Sequence, residues 1–328
     1  RNFVGLTKKY NMNVADKLKQ ATSPLFTFEL LPPLKGKGID AIYKAIDPLL
    51  AFNPSYINMT YHSAEVVYKT LADGKIEKRT VKKRPGSVAL AAAIKYKYNI
   101  EVVPHVICSG FNQEETENIL IDFHFLDIHN LLVLRGDPPK GMRVFQPKED
   151  GHEHTLGLMS QINNMNNGRY LDENLKNPEK TTFSMGVAGY PEKHMEAPNM
   201  VSDMKYLKQK VENGAEYIVS QMFFDTQKYI DFVHQCRKEG ILVPIVPGIK
   251  PIASMNDIKV LPQIFNIDLP EELVVELKKC TTNDEARQVG IEWCIKQSKE
   301  LIAFGVPSLH YYTLGESDNI QKICKAVF

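Results

Sequence analysis

Short runs of β-branched and aromatic residues recur along the chain, each followed by a polar loop and a stretch of helical periodicity. Eight such runs can be read: Leu25 to Leu31 (LFTFELL), Tyr56 to Thr60 (YINMT), Glu101 to Cys108 (EVVPHVIC), Asn130 to Asp137 (NLLVLRGD), Phe183 to Tyr190 (FSMGVAGY), Tyr217 to Phe224 (YIVSQMFF), Val243 to Lys250 (VPIVPGIK) and Ser308 to Leu314 (SLHYYTL). Helices are predicted between them, among others over Val88 to Tyr98, Glu114 to Leu126, Met200 to Asn213 and Asp284 to Phe304, the last stopped by Gly305. Alternating strand and helix imply a parallel sheet, and eight repeats close a (β/α)8 barrel; a doubly wound open sheet is the rival. The expected fold is therefore α/β, a single (β/α)8 TIM barrel over residues 25–328 with an N-terminal extension, residues 1–24. Two interruptions are long, Pro138 to Thr155 after the fourth strand and Asn167 to Thr182 before the fifth. The first would lie on the C-terminal rim, where barrel chemistry is assembled, and is expected to act as a lid or ligand clamp.

Side-chain parity along a barrel strand decides which residues see the interior and which see the helices. In LFTFELL, Thr27 and Glu29 share one parity and Phe26, Phe28 and Leu30 the other. A carboxylate buried against the helix layer would be costly, so Glu29 is expected in the barrel mouth; a buried ion pair with a neighbouring strand is the alternative. The same reasoning selects Arg135 and Asp137, His105, Gln221, Lys250 and His310. The segment GYPEKHMEAPN, Gly189 to Asn199, places a Tyr, two Glu, a Lys and a His directly after a strand and reads as a ligand wall.

Composition narrows the chemistry. Forty Lys and Arg against 39 Asp and Glu give a formal net charge of +1, which offers no bulk field for a nucleic acid or an anionic membrane, so a small-molecule partner is expected. The longest apolar run, near Ile241 to Ile249, is broken by Pro244 and Pro247 and is far shorter than the ~20 residues of a membrane span. Arg1 to Gln20 is basic without the apolar core of a signal peptide, so the cytoplasm is the expected location. Five widely spaced cysteines form no Cys-x-x-Cys and suit a reducing compartment. Gly36, Gly38 and Ala41 match a G-x-G-x-x-A spacing but lie two prolines away from their strand, and the second strand ends without a ribose-binding acid, which argues against a Rossmann site. His152 and His154 lack a third ligand nearby, and no metal is expected.

The motifs FELLPP (Phe28 to Pro33), LRGDPP (Leu134 to Pro139), VAGYPEKHMEAPN (Val187 to Asn199), GAEYIVSQMFFD (Gly214 to Asp225), PGIKPI (Pro247 to Ile252) and GVPSLHYYTL (Gly305 to Leu314) together resemble the methylenetetrahydrofolate reductase family, in the family's order. The resemblance implies a barrel carrying FAD that reduces 5,10-methylenetetrahydrofolate to 5-methyltetrahydrofolate with NADH or NADPH in a ping-pong sequence, as a homo-oligomer. It implies Glu29 as the acid that protonates the folate, Asp137 beside the flavin ring and the pterin, and Gln221 as a pterin ligand. For FAD it implies Thr60, His105, Arg135, Gly136, Asp137, His154, Thr155, Tyr190, His194, Asp203 and Lys210, with Arg135 and Lys210 suited to the diphosphate. Two departures stand out. Gly315 and Glu316 follow YTL where the family commonly has Asn-Arg, with the Arg reaching folate, and Leu261 aligns where some members carry a Phe. The chain ends soon after the eighth strand, so the S-adenosylmethionine-sensing domain of eukaryotic relatives is not expected. Lys250 as the Schiff-base lysine of a class I aldolase is the rival chemistry, and a non-catalytic barrel the third reading.

Overall fold

The computed structural model describes residues 12–138, 144–313 and 317–328. Gly315 and Glu316, the first part of the N-terminal extension and part of the loop after the fourth strand lie outside the described residues. The barrel strands are β1 (Leu25–Leu30), β2 (Tyr56–Met59), β3 (Glu101–Ile107), β4 (Asn130–Leu134), β5 (Ser184–Gly189), β6 (Ala215–Ser220), β7 (Ile245–Val246 and Gly248–Ile249) and β8 (Ser308–Tyr312). All pair in parallel and in sequence order, and β8 returns to β1 with Leu25 opposite Ser308 and Glu29 opposite Tyr312. Pro247 has no N–H to donate and splits β7: Ile245–Val246 pairs with β6, Gly248–Ile249 with β8, and the barrel closes across the break. The sequence reading of a (β/α)8 barrel therefore holds, and the open-sheet rival does not. A two-stranded antiparallel hairpin, Glu65–Thr70 with Ile76–Val81, follows β2 and was not foreseen.

The four helices named above form as Ser87–Tyr98, Gln113–Phe125, Met200–Glu212 and Asn283–Phe304. Their ends have local causes: Asn112 and Thr282 each form a capping box with the Glu at the third helical position, and Gly305 closes the last helix at φ +91°. None of the described helices is long and apolar enough to cross a membrane.

Parity divides the core as expected. Phe26, Phe28 and Leu30 pack among the helices with Ile57, Met59, Val102 and Val106. The interior carries Tyr56, Val103, Leu132, Tyr217, Val219 and Val246, and against them pack Val14, Ala15 and Leu18 of the short helix Val14–Gln20. Val14 N donates to Asn130 Oδ1 at 2.9 Å, at the start of β4, so this helix plugs the N-terminal end of the barrel and leaves the C-terminal end for ligands. Glycine is required where the long helix meets the loop after β7: a Cβ on Gly290 would overlap Ile252 O and sit 2.8 Å from Ile252 Cβ. Gly290→Ala is expected to destabilise the fold by about 1–3 kcal/mol, as overpacking does. A denaturant midpoint unchanged from the parent would contradict that close contact.

Candidate active site

Glu29 lies one residue before the end of β1, with Asn58 and Tyr312 as its register partners on either side. Its side chain is 13% exposed, and Oε2 lies 3.3 Å from His105 Nε2 on β3. Burial pushes the Glu29 carboxyl up to about 8 and the His105 imidazole down to about 3, so both groups are neutral near pH 7. His105 Nε2 and both amide atoms of Asn58 are buried and find no hydrogen-bond partner among the described residues. Buried polar atoms are rarely left so, and this cluster suits a polar ligand at the mouth. Thr60 follows β2, its N bound to Leu30 O at 3.1 Å and its Oγ1 3.2 Å from His62 Nε2.

The raised carboxyl has a stability consequence. Between its unfolded value of 4.5 and its folded value of about 8, the native protein holds a proton that the unfolded chain has lost. Stability therefore falls as pH rises through that window, by up to about 1.4 kcal/mol per pH unit, and levels off above it. His105 acts in the opposite sense below pH 6.5, because there the unfolded chain holds the extra proton. Glu29→Gln leaves that histidine contribution in place, so the variant is expected to gain stability over the parent steadily from pH 5 to pH 8 in denaturant titrations. A constant difference would contradict the buried, protonated carboxyl.

On the opposite rim β4 ends at Leu134, before the Arg135 and Asp137 that the sequence reading put inside it. Arg135 forms a two-pronged ion pair with Glu196, Nη1 to Oε2 at 2.5 Å and Nη2 to Oε1 at 2.8 Å, and its guanidinium lies 4.8 Å from the Phe145 ring centre. Gly136 has φ +85°, and a Cβ there would come within 3.0 Å of Ser109 Cβ. Asp137 is exposed, with no hydrogen bond or ion pair to another described residue. Its charge acts on His62 on one side and Tyr190 on the other.

The loop after β5 completes this rim. Tyr190 meets His194 edge to face at 4.7 Å, and Asp203, in the first turn of Met200–Glu212, fixes the loop by accepting from His194 N at 2.8 Å. Burial raises the Tyr190 hydroxyl and lowers His194. Lys210 Nζ donates to Ala188 O at 2.7 Å, and burial lowers its ammonium to about 8. Gln221 follows β6; its N binds Gly189 O at 2.8 Å and its Oε1 accepts from Met222 N at 2.9 Å, which leaves Nε2 available to a ligand. His154 and Thr155 stand at the start of helix Thr155–Asn166, His154 exposed and beside Glu153 at 3.9 Å. His152 turns to Gln161 at 2.5 Å, and among the described residues no three His, Cys, Asp or Glu converge as metal ligands.

One expected position is corrected. His310 was placed at a strand end, but β8 runs on to Tyr312 and His310 lies fully buried in the barrel interior. Its Nδ1 is 2.9 Å from Thr27 Oγ1, and burial lowers it to about 3. Asn58 and His62 were not singled out as ligands by the sequence reading, and Glu196 entered it only as one of the two Glu of the wall Gly189 to Asn199. The parity that selected Glu29 would have found Asn58, whereas the partner of Arg135 is set by folding of the loop after β5.

The family profile of methylenetetrahydrofolate reductase matches residues 14–327. The chain belongs to this family. Among reductases of the family, the chain is 32% identical over 316 residues to methylenetetrahydrofolate reductase (NADH) 1 of Arabidopsis thaliana, covering 92% of this chain but 48% of that protein, so it spans about half the length of that relative. It is 27% identical to the 5,10-methylenetetrahydrofolate reductase of Salmonella typhimurium, covering 91% of this chain and 88% of that one. A Clostridium thermocellum protein that binds two copies of 5-methyl-5,6,7,8-tetrahydrofolic acid shares the fold, with a TM-score of 0.57 at 13% identity over 95% of this chain and 96% of that one.

Proposed function

We propose that the chain is an NAD(P)H-dependent flavoprotein that reduces 5,10-methylenetetrahydrofolate to 5-methyltetrahydrofolate. The observation that carries this reading is a carboxyl that burial pushes up to about 8 at the barrel mouth, 3.3 Å from His105 Nε2, in a chain of this reductase family. The reading extends to a cytoplasmic homo-oligomer with one noncovalent FAD per subunit.

The residues present fit FAD. Arg135 and Lys210 offer cations to a diphosphate, Gly136 leaves room for close backbone approach, and Thr60, His105, Tyr190 and His194 line the rim with polar and aromatic groups; His154 and Thr155 would lie at its outer edge. Asp203 acts through the loop by holding His194. FAD, when bound, supplies the redox chemistry that links nicotinamide to folate. Glu29, neutral at pH 7, gives its Oε proton to a nitrogen of the folate bridge and so opens it to an electrophilic iminium. Gln221 Nε2 can donate to the pterin, and Asp137 orients it at the rim. The buried mouth keeps water away from the iminium.

Protein supplied with excess FAD is expected to retain flavin absorbance through gel filtration; a colourless protein overturns the reading. Asp137 is expected to tune the flavin. The Arg135 guanidinium is directed to Glu196 and not to Asp137, so a carboxylate at Asp137 would disfavour added electron density on a neighbouring ring. Two charges about 4 Å apart in a water-like environment interact by ~1 kcal/mol, roughly 20 mV for a two-electron couple. Asp137→Asn should raise the midpoint potential by that order in spectroelectrochemistry, and an unchanged or lower potential removes Asp137 from this role.

A further inference from the structure

We propose that Asn58 and His310 are positioning residues for the acid: together with His105 they hold a water molecule in the barrel interior beneath Glu29, and that water keeps the acid's proton on the oxygen that faces the mouth. This deepens the function proposed above and rests on it. The barrel ladder brings the groups together. Asn58 of β2 stands beside Glu29 and His310 of β8 stands beside Thr27, so both side chains take the interior parity of β1, Asn58 level with the acid and His310 one layer below it. His105 reaches the same place from β3, with Nε2 3.3 Å from Glu29 Oε2, and its imidazole feels that of His310.

Four polar atoms are left over in this region. Asn58 and His310 are fully buried, and both amide atoms of Asn58, Nε2 of His310 and Nε2 of His105 find no hydrogen-bond partner among the described residues. Native interiors rarely leave one such atom dry, and four on neighbouring strands call for a shared partner. The bonds of His310 fix what that partner must supply. Thr27 Oγ1 donates to Leu309 O at 3.2 Å and Ser308 Oγ donates to Leu25 O at 3.0 Å, so neither hydroxyl has a proton left for the ring. Thr27 Oγ1, 2.9 Å from His310 Nδ1, therefore accepts from it, and the neutral imidazole turns a bare Nε2 lone pair into the interior.

Only a donor satisfies that lone pair, and the Asn58 amide needs a donor and an acceptor at once. Water is both. An ion does not suit the region, because Glu29 at about 8 and the two imidazoles at about 3 are uncharged near pH 7 and offer no countercharge. A ligand entering from the mouth is kept off His310 by Tyr312, the next interior position on β8, which lies edge-on to it with ring centres 5.4 Å apart and is pinned by its hydroxyl to Ser220 O at 2.7 Å.

A carboxylic acid can carry its proton on either oxygen. A water that donates to Oε2 makes that oxygen the acceptor, so the proton stays on Oε1, away from His105. Once the proton has passed to the folate nitrogen, the same water donates to the carboxylate left behind. The titratable groups facing Glu29 are His105 from β3 and Tyr312 from β8, with His310 beneath and His62 acting on His105 from the loop after β2; β2 itself adds Asn58, which does not titrate.

The test uses FAD-loaded protein, reduced and then mixed with 5,10-methylenetetrahydrofolate. Asn58→Leu and His310→Phe remove the anchors of the water. Each is expected to slow the folate step about tenfold, the size of one lost hydrogen bond to a charged group, and to move the alkaline limb of its pH profile up by about one unit, with the KM for folate and the rate of flavin reduction within about twofold of the parent. Asn58→Ser and His310→Gln, which keep a polar anchor, are expected to restore most of the rate. Slowing of both half-reactions together, with the pH profile in place, would make the residues structural and overturn the proposal. A crystal structure of the parent that shows ordered water reads the site without any variant: density within hydrogen-bond distance of both His310 Nε2 and Asn58 supports it, and a dry interior or a direct bond from Asn58 to His310 overturns it. A parent chain that leaves folate unreduced sinks the proposed function, whereas unchanged rates and profiles in both variants of a folate-reducing chain sink only the positioning role.

Discussion

Glu29→Gln is expected to slow reduction of 5,10-methylenetetrahydrofolate by about 10²–10⁴-fold, the usual worth of a positioned acid, while flavin reduction by the nicotinamide stays within a few fold of the parent. Only the folate step consumes the Oε proton, so the loss should be confined to that half-reaction. The substitution suits the purpose because the native carboxyl is neutral: burial holds it near 8, and glutamine reproduces its shape and neutrality without a transferable proton. The variant should therefore fold and bind flavin, and the kcat for the folate step should rise toward low pH in the parent but not in the variant. Loss of both half-reactions would give Glu29 a structural role instead. Retention of both would place the acid elsewhere.

Arg135→Met is expected to weaken FAD binding by roughly 100-fold, since charge-assisted hydrogen bonds contribute about 1.5–3 kcal/mol each and ~3 kcal/mol is about two decades in Kd. The guanidinium already holds Glu196 through two short hydrogen bonds, so a diphosphate has to share or displace that carboxylate. Glu196→Gln should accordingly tighten FAD binding, opposite in sign to the arginine variant. Quenching of flavin fluorescence on titration measures both. Equal weakening in the two variants would mean that the ion pair serves only to hold the loop after β5 against β4.

The strands of the barrel were legible because every one carries a compact run of β-branched or aromatic residues, and because parity separated Thr27 and Glu29 from Phe26, Phe28 and Leu30. The strand ends were less so. Arg135, Asp137 and Gln221 were read inside strands that stop before them, because hydropathy does not mark where the ladder of hydrogen bonds gives out. His310 was misplaced for another reason: it lies in the middle of β8, two residues before its end, so its side chain is packed in the barrel interior and not at the mouth. The hairpin Glu65–Thr70 with Ile76–Val81 escaped notice because its outward face exposes Val66, Tyr68 and Ile76 among lysines, so it lacks the buried signature of the barrel strands. The pairing of Arg135 with Glu196 links positions 61 residues apart and depends on how the loop after β5 folds back, which no local pattern encodes. Lys250 was visible as a strand-end lysine, but the cavity it lines together with Asn319 and Ile320 joins residues about 70 positions apart, which no local pattern encodes.

The most direct measurement is anaerobic double-mixing of the FAD-loaded chain, first with NADH or NADPH and then with 5,10-methylenetetrahydrofolate, followed at the flavin absorbance band and by product analysis. The expected result is bleaching by the nicotinamide, recovery of the band on adding folate, and one 5-methyltetrahydrofolate formed per flavin. A flavin that the nicotinamide does not bleach, or a bleached flavin that the folate does not restore, would contradict the assignment.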